Sequence, residues 1–234
     1  MTADFLFDRF REFGDTDAIV WQNRSFSFRW LLEATHSWQR KVSEFGIEPG
    51  NVVVLEGDFS PNAVALFLAL IQNACMVVPL TSSLTQNEGT LQETAQCEYA
   101  THISQNDHVE MERLPHRASH EHYLQLIKLG HPGLILFSSG STGPSKAALH
   151  DMNRILQKFL TPRKAFRSIS FLLYDHIGGI NTMLYLLTNG GCLVTVGDRS
   201  PDTVLNSIEK HRVELLPTSP TFINLILLIF NCFH

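Results

Sequence analysis

The order of the apolar runs constrains this chain more than any other feature. Val52-Val53-Val54-Leu55 is an unbroken apolar run of strand length. Such a run is expected to be a strand buried on both faces, whereas a strand with one wet face alternates apolar and polar residues. Ser60-Pro61 follows, a hydroxyl at the N-cap position and a proline at the first helical position. It opens a helix running to about residue 73, and Met76-Val77-Val78-Pro79 is a second buried strand. Strand, helix, strand in that order predicts a parallel sheet with crossover helices.

The alternation recurs downstream. Residues 169–173 and 192–196 are expected as strands around a helix over 179–188, and a helix over 204–210 precedes a strand over 213–216. Upstream, Ala18-Ile19-Val20-Trp21 and Ser25-Phe26-Ser27-Phe28 flank Gln22-Asn23-Arg24 as a hairpin. Trp30, Leu31, Ala34, Trp38, Val42 and Phe45 then share one helical face, which Gly46 ends. The expected fold class is α/β, layered, with mostly parallel sheets.

Residues 104–122 are polar, rich in His and Glu, and without a clear period, so they are expected to be a surface linker. The chain then divides into a first α/β subdomain over 1–103, a linker region over 104–130 and a second α/β subdomain over 131–234. His116, His120 and His122 lie here beside Pro115. With no further spaced ligand set, they are expected to line a solvated loop rather than hold a metal.

Composition excludes several classes. The net charge of -5, with scattered basic residues, does not suit a nucleic-acid surface, which needs clustered Lys and Arg. Cys75, Cys97, Cys192 and Cys232 form no CxxC pair, so neither zinc nor a redox dithiol is indicated, and a reducing cytoplasmic setting fits. The stretches 63–80 and 222–233 are broken by Gln72-Asn73, Asn224 and Asn231, short of the roughly 20 apolar residues of a membrane span. Both are expected as buried elements.

The run Leu134-Ile135-Leu136-Phe137 leads into Ser138-Ser139-Gly140-Ser141-Thr142-Gly143-Pro144-Ser145-Lys146. Glycines let backbone N–H groups curve around an anion, hydroxyls add donors, and the lysine supplies charge. A phosphate cradle is the natural reading, with an ordinary turn as the bland one. The Walker spacing G-x-x-x-x-G-K-[ST] fails, because Ser145 precedes and Ala147 follows Lys146. The lipase pattern G-x-S-x-G is absent as well.

The segment instead resembles the signature of the adenylate-forming (AMP-binding) superfamily, which includes acyl-CoA synthetases, in the form [ST]-[ST]-G-[ST]-T-G-x-x-K. Ser138, Ser139, Gly140, Ser141, Thr142, Gly143 and Lys146 fill every specified position. One departure is Ser145, where the family usually has proline. Residues 62–79 resemble the family's early core segment. Tyr174-Asp175-His176-Ile177-Gly178-Gly179 resembles its second motif, and Leu216-Pro217-Thr218-Ser219-Pro220-Thr221 a later strand-end loop.

The resemblance implies ATP-dependent activation of a small-molecule carboxylic acid, fatty acids included, with Mg2+ as cofactor and coenzyme A as a thiol acceptor. Residues 138–143 and Lys146 would hold the phosphates, Lys146 taking part in catalysis. His176, Gly178, Gly179, Thr218, Ser219 and Pro220 would line the acid's pocket. The bland readings are a strand-end residue for His176, and an N-cap with first-turn proline for 218–220. The family's magnesium-binding glutamate, ribose-binding aspartate, hinge and small C-terminal domain would follow His234. A truncated product with impaired turnover is therefore the expectation, and the alternative is a non-catalytic remnant binding nucleotide or a partner. Leu227-Leu228-Ile229-Phe230-Asn231-Cys232-Phe233 gives a helix no polar face, so a partner covering it is expected.

Overall fold

In the computed structural model, residues 4–81, 88–138 and 146–232 are described. The strand–helix–strand unit forms as its sequence dictates. β3 (Val52–Glu56) is buried along its first four residues, and β4 (Met76–Leu80) lies parallel to it with Val54 opposite Val78. Between them α3 (Pro61–Gln72) starts where the Ser60 side chain accepts the Ala63 N–H, and ten of its twelve residues are buried. A helix with no polar face needs cover all round, and the layering of the fold supplies it.

Two sheets organise the described residues. One has the order β6 (Val109–Arg113), β5 (Tyr99–Ile103), β3, β4, β7 (Gly133–Ser138), β8 (Lys146–Asp151). Its inner strands are parallel, and β6 and β8 close its edges antiparallel. The other has the order β2 (Arg24–Ser27), β1 (Asp17–Trp21), β10 (Cys192–Val194), β9 (Arg167–Ile169).

Side-chain alternation along the strands sorts the core into layers. Val53, Leu55 and Val77 from the larger sheet, and Ile19 and Leu193 from the smaller, share one core with α1 (Asp4–Phe13), α2 (Phe28–Glu44), α3 and α7 (Ile177–Thr188). On the opposite face of the larger sheet, Val52, Val54 and Val78 pack under α4 (Glu88–Thr94) and α5 (Glu121–Leu129). On the opposite face of the smaller sheet, Val20, Ile169 and Val194 pack under α8 (Pro201–His211) and α9 (Pro220–Cys232). The result is helix, sheet, helix, sheet, helix, with α3 in the middle layer. α6 (Met152–Gln157) adds Met152 and Leu156 to the same central core.

Polar ties fix the middle layer. Trp38 Nε1 donates to Asn62 Oδ1 at 2.8 Å, and Asp107 accepts from Ser60 Oγ at 2.5 Å and from the Asn62 N–H at 3.1 Å. Burial is the largest influence on Asp107 and raises its pKa above the usual carboxylate range, although these hydrogen bonds pull the other way. Arg9 donates to the carbonyls of Phe159 and Leu160, just past α6, and to that of Thr188 at the end of α7, where a cation suits the helix dipole.

Four expectations change. The linker over 104–122 contains β6, an edge strand paired residue for residue with β5 from Tyr99–Arg113 to Ile103–Val109, and α5 begins at Glu121. The sheets also cut across the division at 104–130, because β1 and β2 join β9 and β10. Residues 213–216 make one parallel bridge, Leu215 to Ser168, rather than a full strand, and β9 stops at Ile169.

Candidate functional site

The segments 138–146, 174–179 and 216–221 leave the sheets at the C-terminal ends of their parallel strands or bridge, where α/β proteins place their ligand sites. β7 ends at Ser138, and β8 returns from Lys146, its antiparallel partner. Ser138 Oγ lies 3.5 Å from the Lys146 carbonyl oxygen, and both residues are exposed. The two ends of the serine- and glycine-rich segment are therefore held side by side, with hydroxyl and ammonium facing water. Ser139, Gly140, Ser141, Thr142 and Gly143 lie outside the described residues.

The second segment leaves β9 and turns into α7. His176 is the N-cap residue but makes no side-chain capping bond, and its ring is exposed. Asp175, 7% exposed, accepts from Thr81 Oγ1 at 2.6 Å through Oδ2. Thr81 directly follows β4, so this bond pins the start of α7 beside the strand next to β7. Asp175 Oδ1 is buried without a hydrogen-bond partner, 3.9 Å from His176 Nε2. Sequence reading missed Thr81 and the role of Asp175: the two are 94 residues apart, and only the fold joins them.

The glycines of this segment have a structural duty. A Cβ on Gly179 would sit 2.0 Å from the Leu173 carbonyl oxygen, and one on Gly178 would sit 2.9 Å from Leu172 Cδ1. The first turn of α7 thus lies directly on the chain that precedes it. The third segment follows the Leu215 bridge out of the smaller sheet. Ser219 Oγ accepts the Phe222 N–H at 3.2 Å and Pro220 opens α9, so these two residues build a helix start. Thr218 Oγ1 is buried with no hydrogen-bond partner. Among the described residues no hydrogen bond joins Ser138, His176 and Thr218 to one another.

A cleft of about 530 Å³ opens at the same edges, lined among others by Trp21, Asp58, Phe59, Gln105, Val196 and His211. The hairpin turn roofs it. Gln22 and Asn23 both have positive φ, 47° and 62°, and reach across to the Gln105 carbonyl at 3.2 Å and His211 Nε2 at 3.1 Å. Burial first, then Lys210 and Arg167, lower the His211 pKa. Arg199 braces the floor with a two-pronged pair to Asp58 and a bond to the Phe171 carbonyl.

A family model described as AMP-binding enzyme matches residues 6–231. The chain belongs to the AMP-binding enzyme family. Among curated proteins it is similar to a 2-succinylbenzoate--CoA ligase of Bacillus pumilus (strain SAFR-032), 23% identical over 228 residues, covering 90% of this chain and 47% of that protein. Among solved structures, the Klebsiella oxytoca NpsA N-terminal subdomain in complex with 3-hydroxyanthranilyl-AMSN matches with a TM-score of 0.73 and 21% identity, covering 92% of this chain and 59% of that one. The inhibitor-bound N-terminal domain of FACL13 from Mycobacterium tuberculosis matches with a TM-score of 0.77 and 14% identity, covering 96% and 64%. At such identities the structural likeness shows the fold. The chain spans about half the length of the curated relative it matches.

Proposed function

We propose that this AMP-binding chain carries the phosphate- and acid-binding half of a carboxylate-activating ligase. Its carboxylic acid substrate, ionised at neutral pH, attacks the α-phosphorus of ATP. A bond forms from the carboxylate oxygen, the bond to the pyrophosphate oxygen breaks, and acyl-adenylate and pyrophosphate result. No proton needs to move. The barrier lies in bringing two anions together and in the charge gathering on the leaving group, so catalysis is mainly positioning and electrostatics.

The observation that carries this reading is the pairing of Ser138 with Lys146 at the mouth of the larger sheet, in a chain whose family is AMP-binding enzymes. An exposed hydroxyl and an exposed ammonium fit a polyphosphate anion. Lys146 accompanies the phosphates, and residues 138–143 wrap them. Magnesium arriving with ATP supplies further charge neutralisation. His176, with Gly178, Gly179 and Thr218, borders the acid, and coenzyme A takes the acyl group, an acceptor suggested by the relative's name. A reducing cytoplasmic setting is supported by Cys75, Cys97 and Cys192, which are free and buried. Burial pushes each of these thiols up to about 12.

Because the curated relative is about twice as long, these 234 residues on their own are proposed to turn over weakly. The exposed aliphatic side chains of α9 are the observation behind a second reading, a non-catalytic nucleotide- or partner-binding remnant. Carboxylate-dependent exchange of labelled pyrophosphate into ATP tests for turnover. Little or no exchange is expected from the isolated chain, and vigorous exchange abolished by Lys146→Ala would overturn both the weak-turnover statement and the remnant reading.

A further inference from the structure

Away from the phosphate segment, the edge of the larger sheet gathers a second set of chemical groups. Glu56 ends β3, and His102 is its partner on β5. Glu110 and Glu112 on β6 face His102 and Ala100, so the four side chains share one face. Glu88, the first residue of α4, comes down onto that face. His102 Nδ1 meets Glu56 Oε2, and its Nε2 lies 3.1 Å from Glu112 Oε1. One ligand atom from each of Glu56, Glu88 and His102 lies within 4.8 Å of the others, and all three residues are half-buried.

We propose that Glu56, Glu88 and His102 bind a divalent transition-metal ion of the zinc type, with Glu112 as the group that orients the imidazole. Four-coordinate zinc with bonds of about 2.0–2.1 Å places its ligands roughly 3.4 Å apart. An ion entering here would part the His102–Glu56 contact and draw Glu88 toward it, within the 4.8 Å that now spans the three ligand atoms. The donor set names the ion class: imidazole with carboxylates and no thiolate suits zinc, cobalt or manganese, whereas magnesium and calcium want oxygen ligands throughout. Glu112 stands on the second ring nitrogen, as the outer carboxylate does in carboxylate–histidine–metal arrangements. Binding releases to solvent the proton that Glu56 and His102 share.

Two further features separate this set from an ordinary acidic surface. Its centre is an imidazole held from both sides, and a cavity of about 220 Å³ lined by Glu56, His102, His108 and Glu110 borders two of the three ligands. That cavity leaves room for water at the remaining coordination positions.

The test uses the full chain, stripped with a chelator and dialysed into metal-free buffer. Zinc chloride is titrated calorimetrically, with magnesium chloride alongside. One zinc per chain and a raised Tm are expected, with no response to magnesium. His102→Gln and Glu56→Gln should each weaken zinc binding by more than about 100-fold, and Glu112→Gln by about 10- to 100-fold. The double variant His120→Gln/His122→Gln should bind as the parent does. Cobalt substitution gives a second readout: a visible absorption band that Glu88→Gln, at a helix start where folding is least at risk, diminishes. No zinc binding by the parent chain, unaltered binding in folded His102→Gln, or loss of binding in the His120/His122 double variant would each overturn the proposal.

Discussion

α3 and α9 begin alike and end differently. Each opens on Ser-Pro, with Ser60 or Ser219 accepting a backbone N–H of the first turn and the proline starting the helix. Both are apolar nearly all round. α3 lies between two sheets, and Ala63, Val64, Leu66, Phe67, Leu68 and Leu70 are all 0–1% exposed. α9 lies in an outer layer: Phe222 packs on Phe171 at 4.2 Å between ring centroids, while Ile223, Leu225, Leu227 and Leu228 are 45–63% exposed. The difference teaches that an all-apolar helix states a demand for cover, and that only the tertiary arrangement meets it. Along α3 the layers meet it; along α9 they do so on one face.

Stability measurements can break this contrast, each read as the urea unfolding free energy followed by circular dichroism. The largest effect is expected for Phe67→Ala, about 3–5 kcal/mol, because a large side chain is removed from between two sheets. Gly179→Ala should cost about 1–3 kcal/mol, since the new methyl must push the Leu173 carbonyl away. At the caps, Ser60→Ala should cost about 1–2 kcal/mol and Ser219→Ala less, about 0.5 kcal/mol, because Ser60 Oγ also bonds Asp107. Leu228→Lys should fall within about 0.5 kcal/mol of the parent. A loss at Leu228 as large as that at Phe67 would mean the outer face of α9 is packed and would end the comparison.

The parts of the fold legible in the sequence are those whose signals are local. The Ser60-Pro61 start, the apolar runs of β3 and β4 and the helical face of Trp38 and Val42 are written within a few residues of one another, and each stands where expected. β6 was hidden because Val109-Glu110-Met111-Glu112-Arg113 is a short, wet edge strand whose only evidence is its partner β5. The strand expected over 213–216 reduces to one bridge, Leu215 to Ser168, while Val213 and Leu216 pack against the core on that side of the smaller sheet. Site residues divide the same way. Ser138 and Lys146 were legible as one contiguous motif, whereas Glu56 meets His102 only through sheet register, and Thr81 meets Asp175 only where the loop after β4 touches the start of α7.

The segment from Ser138 to Lys146 is proposed to hold the phosphates of ATP. Calorimetric titration of the chain with Mg-ATP, in parallel with Lys146→Ala, tests it most directly. Binding by the parent, weakened about 10-fold in the variant with an unchanged Tm, is the result expected for loss of one charge-assisted contact. No binding by the folded parent, or equal affinity in parent and Lys146→Ala, would contradict it.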